Sequence, residues 1–142
     1  MESPIADVYD AITDFAKYPL WVTGQTKVVD ETPAGQTAPQ VWKFTAGVPP
    51  FGKPSISYTL SYTLVEGTQA NWVSVAGGVK SIIGEYRLTE LSPTSTQVNY
   101  KLEVDPGFGV PKSLRKVVVG LVVGSALPEL KRYLATKYKR GA

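Results

Sequence analysis

Hydrophobic residues near the start of the chain recur with the spacing of an α-helix. The apolar positions are Ile5, Val8, Tyr9 and Ile12. They share one face of a helix, because three or four residues complete a turn. Ser3 followed by Pro4 predicts the helix start, with serine as the cap and proline in the first turn, and the helix is expected to reach Thr13. Asp14 then indicates a second, short helical turn that ends at Pro19.

From residue 26 onward the apolar positions recur at every second residue, which is the spacing of a β-strand. In residues 55–65, large apolar and aromatic side chains alternate with serine and threonine. Turn sequences rich in glycine and proline separate six such segments. The predicted strands are residues 26–32, 39–46, 55–65, 70–76, 82–91 and 96–104. Short turns join antiparallel strands, so we predict one antiparallel sheet with an apolar face and a hydroxyl-rich face.

A helical pattern returns at the C-terminus and supplies a cover for the apolar face. It begins at Pro111 and reaches Tyr138, a length of about 40 Å at ~1.5 Å per residue. Pro128 interrupts the backbone hydrogen bonds of this helix, so we expect a bend between Gly124 and Pro128. The sequence thus predicts a single α+β domain over residues 1–142. Its curved antiparallel sheet wraps around a long C-terminal helix, and two short helices precede the sheet.

The residue inventory removes several kinds of chemistry. The chain has neither cysteine nor histidine, which excludes disulfides, thiolate metal sites and histidine as a catalytic base. Asp7, Asp10 and Asp14 lie on adjacent turns of the first helix, but hard cations need six or more oxygen ligands. We therefore expect no metal site, no cofactor and no catalytic residue of these classes.

Charge is distributed unevenly along the chain. Residues 1–111 carry seven basic and eleven acidic side chains, whereas residues 112–142 carry eight basic side chains and Glu129 as their acid. A basic C-terminus can contact an anionic membrane surface, or it can complement the dipole of its own helix. Signatures of nucleic-acid binding are absent, so we expect no nucleic-acid partner. No signal peptide or membrane-spanning stretch is visible, which predicts a cytoplasmic protein.

The order of helix pair, antiparallel strands and long final helix resembles the helix-grip superfamily of START-like (SRPBCC) proteins. Four stretches resemble its polyketide cyclase/dehydrase-like branch, namely residues 4–14, 18–22, 80–88 and 96–102. The resemblance implies a helix-grip fold and a hydrophobic ligand. It does not choose among lipid binding, carriage of an intermediate and cyclisation.

One departure from this family concerns the N-terminus. Family members begin with a strand beside the last strand of the sheet, whereas Met1 and Glu2 alone precede Ser3 here. We expect that the natural chain begins earlier or that a partner supplies this strand, because an unpaired edge would otherwise remain.

Aromatic and apolar residues on the helix-facing side form the predicted ligand site. The candidate ligand-binding residues are Trp42, Tyr58, Tyr62, Trp72, Tyr86, Tyr100, Val118, Leu121 and Ser125. Apolar cavities with a few hydroxyl groups are typical small-molecule sites. Alternatively, the same rings simply pack the core.

The available side chains favour a binding protein over an enzyme. Catalysis near neutral pH needs a group with a pKa near 7, and the alternation places Glu85, Glu103, Lys43 and Lys101 on the wet face. We therefore expect binding or transport of a lipid, isoprenoid or polyketide-like compound. The alternative is a polyketide cyclase or dehydratase that uses tyrosine hydroxyls in the same cavity. A weaker alternative is a module that associates with anionic surfaces through the basic C-terminus. The sequence leaves the oligomeric state open.

Overall fold

The computed structural model describes residues 1–22, 24–47, 55–105, 107 and 126–138. Helix α1 spans Ile5–Thr13, and a 3-10 helix spans Phe15–Leu20. The strands are β1 Gln25–Asp30, β2 Gln40–Gly47, β3 Ser55–Val65, β4 Gln69–Gly77, β5 Ser81–Ser92 and β6 Ser95–Asp105. Helix α2 is described over Ala126–Tyr138.

The strands form one curved sheet in the order β1-β2-β3-β4-β5-β6, and every neighbouring pair is antiparallel. This is the meander that short turns between alternating segments predict. Each predicted strand boundary agrees with the observed one to within two residues. The architecture is a curved antiparallel sheet packed against helices, so the predicted α+β fold class is confirmed.

The predicted inward and outward phases of the strands are also observed. Tyr58, Trp72 and Tyr86 are buried, whereas Arg87 is exposed and its Nε donates to Glu85 Oε2 at 2.9 Å. The buried side chains face α1 and the 3-10 helix, and we call this side of the sheet the inner face. Alternation along the strands therefore decides which residues line the interior.

The starts of the two N-terminal helices differ from the predictions. Pro4 is the cap residue of α1, with an extended ψ of 147°, and no side chain caps that helix. Ser3 is instead buried, and its carbonyl accepts a hydrogen bond from Thr96 Oγ1. The 3-10 helix continues past Pro19 and ends at Leu20. The amides of Trp21 and Val22, which follow it, both donate to the Tyr18 carbonyl.

The C-terminal helix packs its leucines into the core. Leu130 and Leu134 are fully buried together with Val8 and Ile12 of α1, so α2 lies against α1. Pro128 is the third described residue of α2. The predicted helix start at Pro111 and the region before Ala126 where a bend was predicted lie outside the described residues. No helix in the described ranges is long and apolar enough to cross a membrane.

The N-terminus is tied to the beginning of β6. The amino group of Met1 donates to the Thr96 carbonyl at 2.9 Å, and the Thr96 amide donates to the Met1 carbonyl at 2.8 Å. Thr96 is fully buried, and its hydroxyl donates to the Ser3 carbonyl at 2.7 Å. This threonine therefore holds the segment before α1 against the sheet with both its backbone and its side chain.

We expect Thr96→Val to lower the free energy of unfolding by about 1–3 kcal/mol, because it leaves the buried Ser3 carbonyl without its donor. Valine has nearly the same shape, so little packing is lost. Urea unfolding measures the change, and Thr96→Ser is the control that keeps the hydroxyl. A valine variant as stable as the wild type would show that the Ser3 carbonyl finds another donor.

Candidate functional site

Aromatic rings form a continuous row across the inner face of the sheet. The row consists of Phe44, Tyr58, Tyr62, Trp72, Tyr86 and Tyr100. Neighbouring ring centroids are 4.9–6.2 Å apart in tilted, stacked or edge-on arrangements, which is the preferred geometry of aromatic pairs. The strand register produces the row, since Tyr62 pairs with Trp72 and Tyr86 pairs with Tyr100 on neighbouring strands.

A glycine on β5 makes room for the tryptophan in this row. Gly84 is the register partner of Trp72, and a Cβ atom at Gly84 would lie only 2.4 Å from two carbons of the indole. The indole therefore lies over the glycine backbone. A larger residue at this position would push the ring into Tyr86 and Tyr100, which contact it on the next strands.

The 3-10 helix adds two more rings at one end of the row. Phe15 is almost fully buried, and the centroid of its tilted ring lies 4.1 Å from that of Tyr62. Tyr18 contacts Phe44, and its hydroxyl donates to the Ile12 carbonyl. Trp42 lies half-buried beside Phe15, with its Nε1 donating to Gln40. The 3-10 helix therefore covers one end of the row.

The tyrosine hydroxyls of the row lie close to one another in a dry environment. Burial raises the pKa of Tyr58 to about 12, although a hydrogen bond from Gln25 Nε2 at 2.8 Å opposes the increase. Burial, and then the charge of Tyr58, raise the pKa of Tyr100 to about 12. Burial also raises the pKa values of Tyr62 and Tyr86, again with contributions from neighbouring tyrosines. These phenols stay protonated near neutral pH and act as hydrogen-bond donors.

Three of these hydroxyls have no partner in the part of the chain that the structure describes. Among those residues, no hydrogen bond uses the hydroxyl of Tyr62, Tyr86 or Tyr100. Tyr62 and Tyr86 are nonetheless at most 5% exposed. A phenol hydroxyl that forms no hydrogen bond to the described residues can donate to a bound molecule.

The structure adds a carboxylate that the sequence analysis did not place at the site. Glu129 of α2 is only 8% exposed, and its charge contributes, after burial and Tyr100, to the raised pKa of Tyr86. It lies near the inner face, although it is the one acidic residue of the basic C-terminal segment. The available signal was its position directly beside Leu130, at the border of the apolar stripe.

The structure brings most of the described residues of the predicted site together on one side of the sheet. Tyr58, Tyr62, Trp72, Tyr86 and Tyr100 lie on the inner face, and Trp42 lies at its border. The other predicted ligand-binding residues, Val118, Leu121 and Ser125, lie outside the described residues.

Comparison with known proteins identifies the family. The sequence model of the family described as polyketide cyclase/dehydrase and lipid transport matches residues 1–131. The chain belongs to this family. No curated protein sequence matches the chain significantly.

Solved structures show where else the family's fold occurs. A START superfamily protein from Mycobacterium smegmatis is 16% identical, with a TM-score of 0.72 over 98% of this chain and 92% of that chain. The Zhui aromatase/cyclase from Streptomyces sp. R1128 is also 16% identical, with a TM-score of 0.72 over 98% and 89% of the two chains. Human STARD10 is 16% identical, with a TM-score of 0.67 over 97% of this chain and 61% of its own. At these identities the likeness establishes the fold.

Proposed function

We propose that the protein binds or transports a hydrophobic small molecule in a cavity between the inner face of the sheet and the C-terminal helix. The molecule is a lipid, an isoprenoid or a polyketide-like compound with at least one polar group. The family's description supports a ligand of this kind, because it includes both lipid transport and cyclases of polyketides.

The observation that carries the proposal is the set of three inner-face tyrosines, 62, 86 and 100, whose hydroxyls form no hydrogen bond among the described residues. A domain that only packed its core would need no hydroxyl at these positions, since phenylalanine buries the same ring without a polar atom. Tyrosines 62, 86 and 100 instead present three donors along one aromatic surface. Their raised pKa values keep them protonated, which suits them to a carbonyl oxygen of the ligand.

Two measurements test the proposal directly. Native mass spectrometry of protein from its own host is expected to detect a retained hydrophobic molecule by its mass. Purified protein is also expected to bind N-phenyl-1-naphthylamine, a neutral fluorescent probe, with increased emission. Absence of both a retained molecule and probe binding would rule out the proposed function.

We expect Tyr86→Phe to weaken the binding of decan-2-one about fivefold while leaving N-phenyl-1-naphthylamine binding unchanged. The ketone loses one hydrogen-bond donor, and a hydrogen bond contributes about 1 kcal/mol. Displacement of the probe by the ketone measures the change. Tyr9→Phe is the matched control, because it removes a buried hydroxyl on α1 that does not belong to the row. An equal loss in both variants would contradict a specific role for Tyr86.

A second candidate function is a cyclase or dehydratase, and the position of Glu129 favours it. A buried carboxylate whose charge reaches Tyr86 provides an acceptor for a proton beside a donor for a carbonyl oxygen. This pairing is the usual requirement for removing a proton next to a carbonyl group. The sequence analysis placed no acidic or basic side chain in the interior. Glu129 is the buried carboxylate that the enzyme hypothesis then lacked.

The enzyme hypothesis predicts product formation from poly-β-ketone thioesters. Glu129→Gln and Tyr86→Phe would then abolish turnover while retaining binding of the probe. Binding of the thioesters without any change in their chemistry would leave the carrier function as the better account.

A further inference from the structure

The most exposed large apolar side chain among the described residues lies at the end of the 3-10 helix. Leu20 is 72% exposed, more than any other large hydrophobic residue in that part of the chain. It borders a pocket of about 410 Å³, which opens where the 3-10 helix and the start of β1 meet α2. A single exposed leucine is ordinary in itself, so its surroundings decide whether this one has a role.

The backbone that carries Leu20 is held in place by several contacts. The amides of Trp21 and Val22 both donate to the Tyr18 carbonyl, which closes the turn at this leucine. The indole of Trp21 stacks on the ring of Tyr133 with the centroids 5.7 Å apart, and it meets the ring of Tyr18 at 5.1 Å. These contacts hold the leucine outside the core, so binding through this side chain orders little of the backbone.

Helix α2, which forms the other wall of the pocket, is basic. Lys131 and Arg132 are both exposed, and no salt bridge between described residues uses either of them. Arg132 lines the pocket that Leu20 borders. From residue 126 to residue 142 the chain has five basic residues and Glu129 as its acid, and Glu129 is buried. The side of α2 that water reaches therefore carries positive charge.

An apolar tip beside a basic helix fits the surface of an anionic bilayer. Leucine gains free energy by entering the boundary between headgroups and acyl chains, and basic side chains are attracted to anionic headgroups. A protein partner would need to bury about 800 Å² on each side, far more than one leucine offers. The salt bridge between Lys17 and Asp14 leaves the 3-10 helix without net charge, so the attraction comes from α2.

We propose that Leu20 and the basic surface of α2 dock the protein on anionic membranes, with Leu20 inserted at the headgroup boundary. The pocket beside Leu20 then faces the bilayer. This pocket adjoins the row of aromatic rings, because Gln25 lines it and donates through Nε2 to the Tyr58 hydroxyl at 2.8 Å. The inference goes beyond the proposed function, since it concerns the surface at which a hydrophobic ligand enters or leaves.

Co-sedimentation with lipid vesicles tests the role of charge. We expect vesicles of phosphatidylcholine with about a third phosphatidylglycerol to bind the protein about tenfold more tightly than phosphatidylcholine alone. Added salt is expected to reduce this preference by screening. Arg132→Gln is expected to weaken binding to the anionic vesicles about fivefold, the usual contribution of one basic residue near such a surface. Lys43→Gln is the matched control, because it removes an exposed charge on the opposite face of the sheet.

A pair of leucine variants tests the apolar contact. Leu20→Ser is expected to weaken binding to the anionic vesicles about tenfold, because the inserted side chain is lost. Leu91→Ser is the matched control and is expected to bind like the wild type. Leu91 is 60% exposed on β5, and three strands separate β5 from β1, the strand that the 3-10 helix contacts. Near-ultraviolet circular dichroism verifies that each variant is folded.

A fluorescent label shows whether position 20 enters the bilayer. The chain contains no cysteine, so Leu20→Cys supplies a single site for a nitrobenzoxadiazole label. Its emission is expected to increase and to shift to shorter wavelength on anionic vesicles, because the label leaves water. The same label on Leu91→Cys is expected to keep the emission that it has in solution.

The outcomes distinguish this inference from the proposed function. If anionic vesicles do not bind the wild type, or if Leu20→Ser binds them as tightly as Leu91→Ser, the docking surface is wrong. A label at position 20 that stays in water indicates adsorption by charge alone, which also overturns the inference. Equal affinity for soluble polyglutamate would assign the basic surface to an acidic polypeptide instead of a membrane. Binding of N-phenyl-1-naphthylamine in solution is measured separately, so the proposed function stands or fails by its own test.

Discussion

Phe15→Ala is expected to lower the free energy of unfolding by about 3–5 kcal/mol, the usual cost of truncating a buried phenylalanine. Phe15 is 1% exposed and contacts four rings, those of Tyr18, Trp42, Phe44 and Tyr62. These neighbours belong to the 3-10 helix and to β2 and β3. Removal of the ring would therefore leave a cavity between the helical segment and the sheet that the surrounding side chains cannot close.

Urea or thermal unfolding followed by circular dichroism measures this loss. Phe15→Leu is the control, because it retains most of the apolar volume and is expected to cost less than about 1.5 kcal/mol. A loss of under 1 kcal/mol in the alanine variant would show that the 3-10 helix does not anchor the end of the aromatic row.

The sheet could be predicted almost completely from the sequence because its signal is local. Alternation along each strand indicates which residues face inward, as Tyr58 and Tyr62 on β3 show. Short turns then determine that neighbouring strands pair in sequence order. The same local information placed five of the six described candidate site residues on the inner face, with Trp42 at its border.

The ends of the two N-terminal helices could not be predicted because they depend on particular hydrogen bonds that the local residue preferences do not reveal. Ser3 has the side chain of a helix cap, but the hydroxyl of Thr96, far along the chain, donates to the Ser3 carbonyl and holds this residue in the core. Similarly, Pro19 normally ends a helix, yet the hydrogen bonds from Trp21 and Val22 to Tyr18 continue the turn beyond it. In both cases a tertiary or neighbouring contact outweighs the local preference.

The role of Glu129 also depends on how elements meet in space. A glutamate beside an apolar stripe has the same sequence pattern whether it faces water or the interior. It is buried here because α2 lies close to α1 and to the end of the 3-10 helix, where Trp21 stacks on Tyr133. Sequence periodicity describes each helix separately and does not determine which border of the stripe another segment covers.

The buried tyrosines predict that the protein loses stability between about pH 10 and pH 12. An unfolded tyrosine has a pKa of about 10, whereas burial raises the pKa of Tyr58 to about 12 in the folded state. Below pH 10 both states are protonated and the stability is fully present. Between these two pKa values the unfolded chain releases the proton and the folded chain keeps it, so rising pH favours unfolding.

The expected size of the loss follows from the shift in pKa. Each unit is worth about 1.4 kcal/mol, so Tyr58 alone removes about 3 kcal/mol by pH 12. Tyr18, Tyr62, Tyr86 and Tyr100 are shifted in the same direction, again mainly by burial. Their combined loss reaches the total stability of an ordinary domain, about 5–15 kcal/mol. We therefore expect the whole domain to unfold within this range of pH.

The measurement follows tyrosinate absorbance and far-ultraviolet circular dichroism in one alkaline titration. We expect the tyrosinate signal of the row to appear together with the loss of sheet structure, because the hydroxyls ionise only after the interior opens. Tyr58→Phe and Tyr62→Phe should each make the transition less steep, since each removes one proton from the difference between the states. Ionisation of these tyrosines near pH 10 with the sheet intact would contradict their burial and would place water along the inner face.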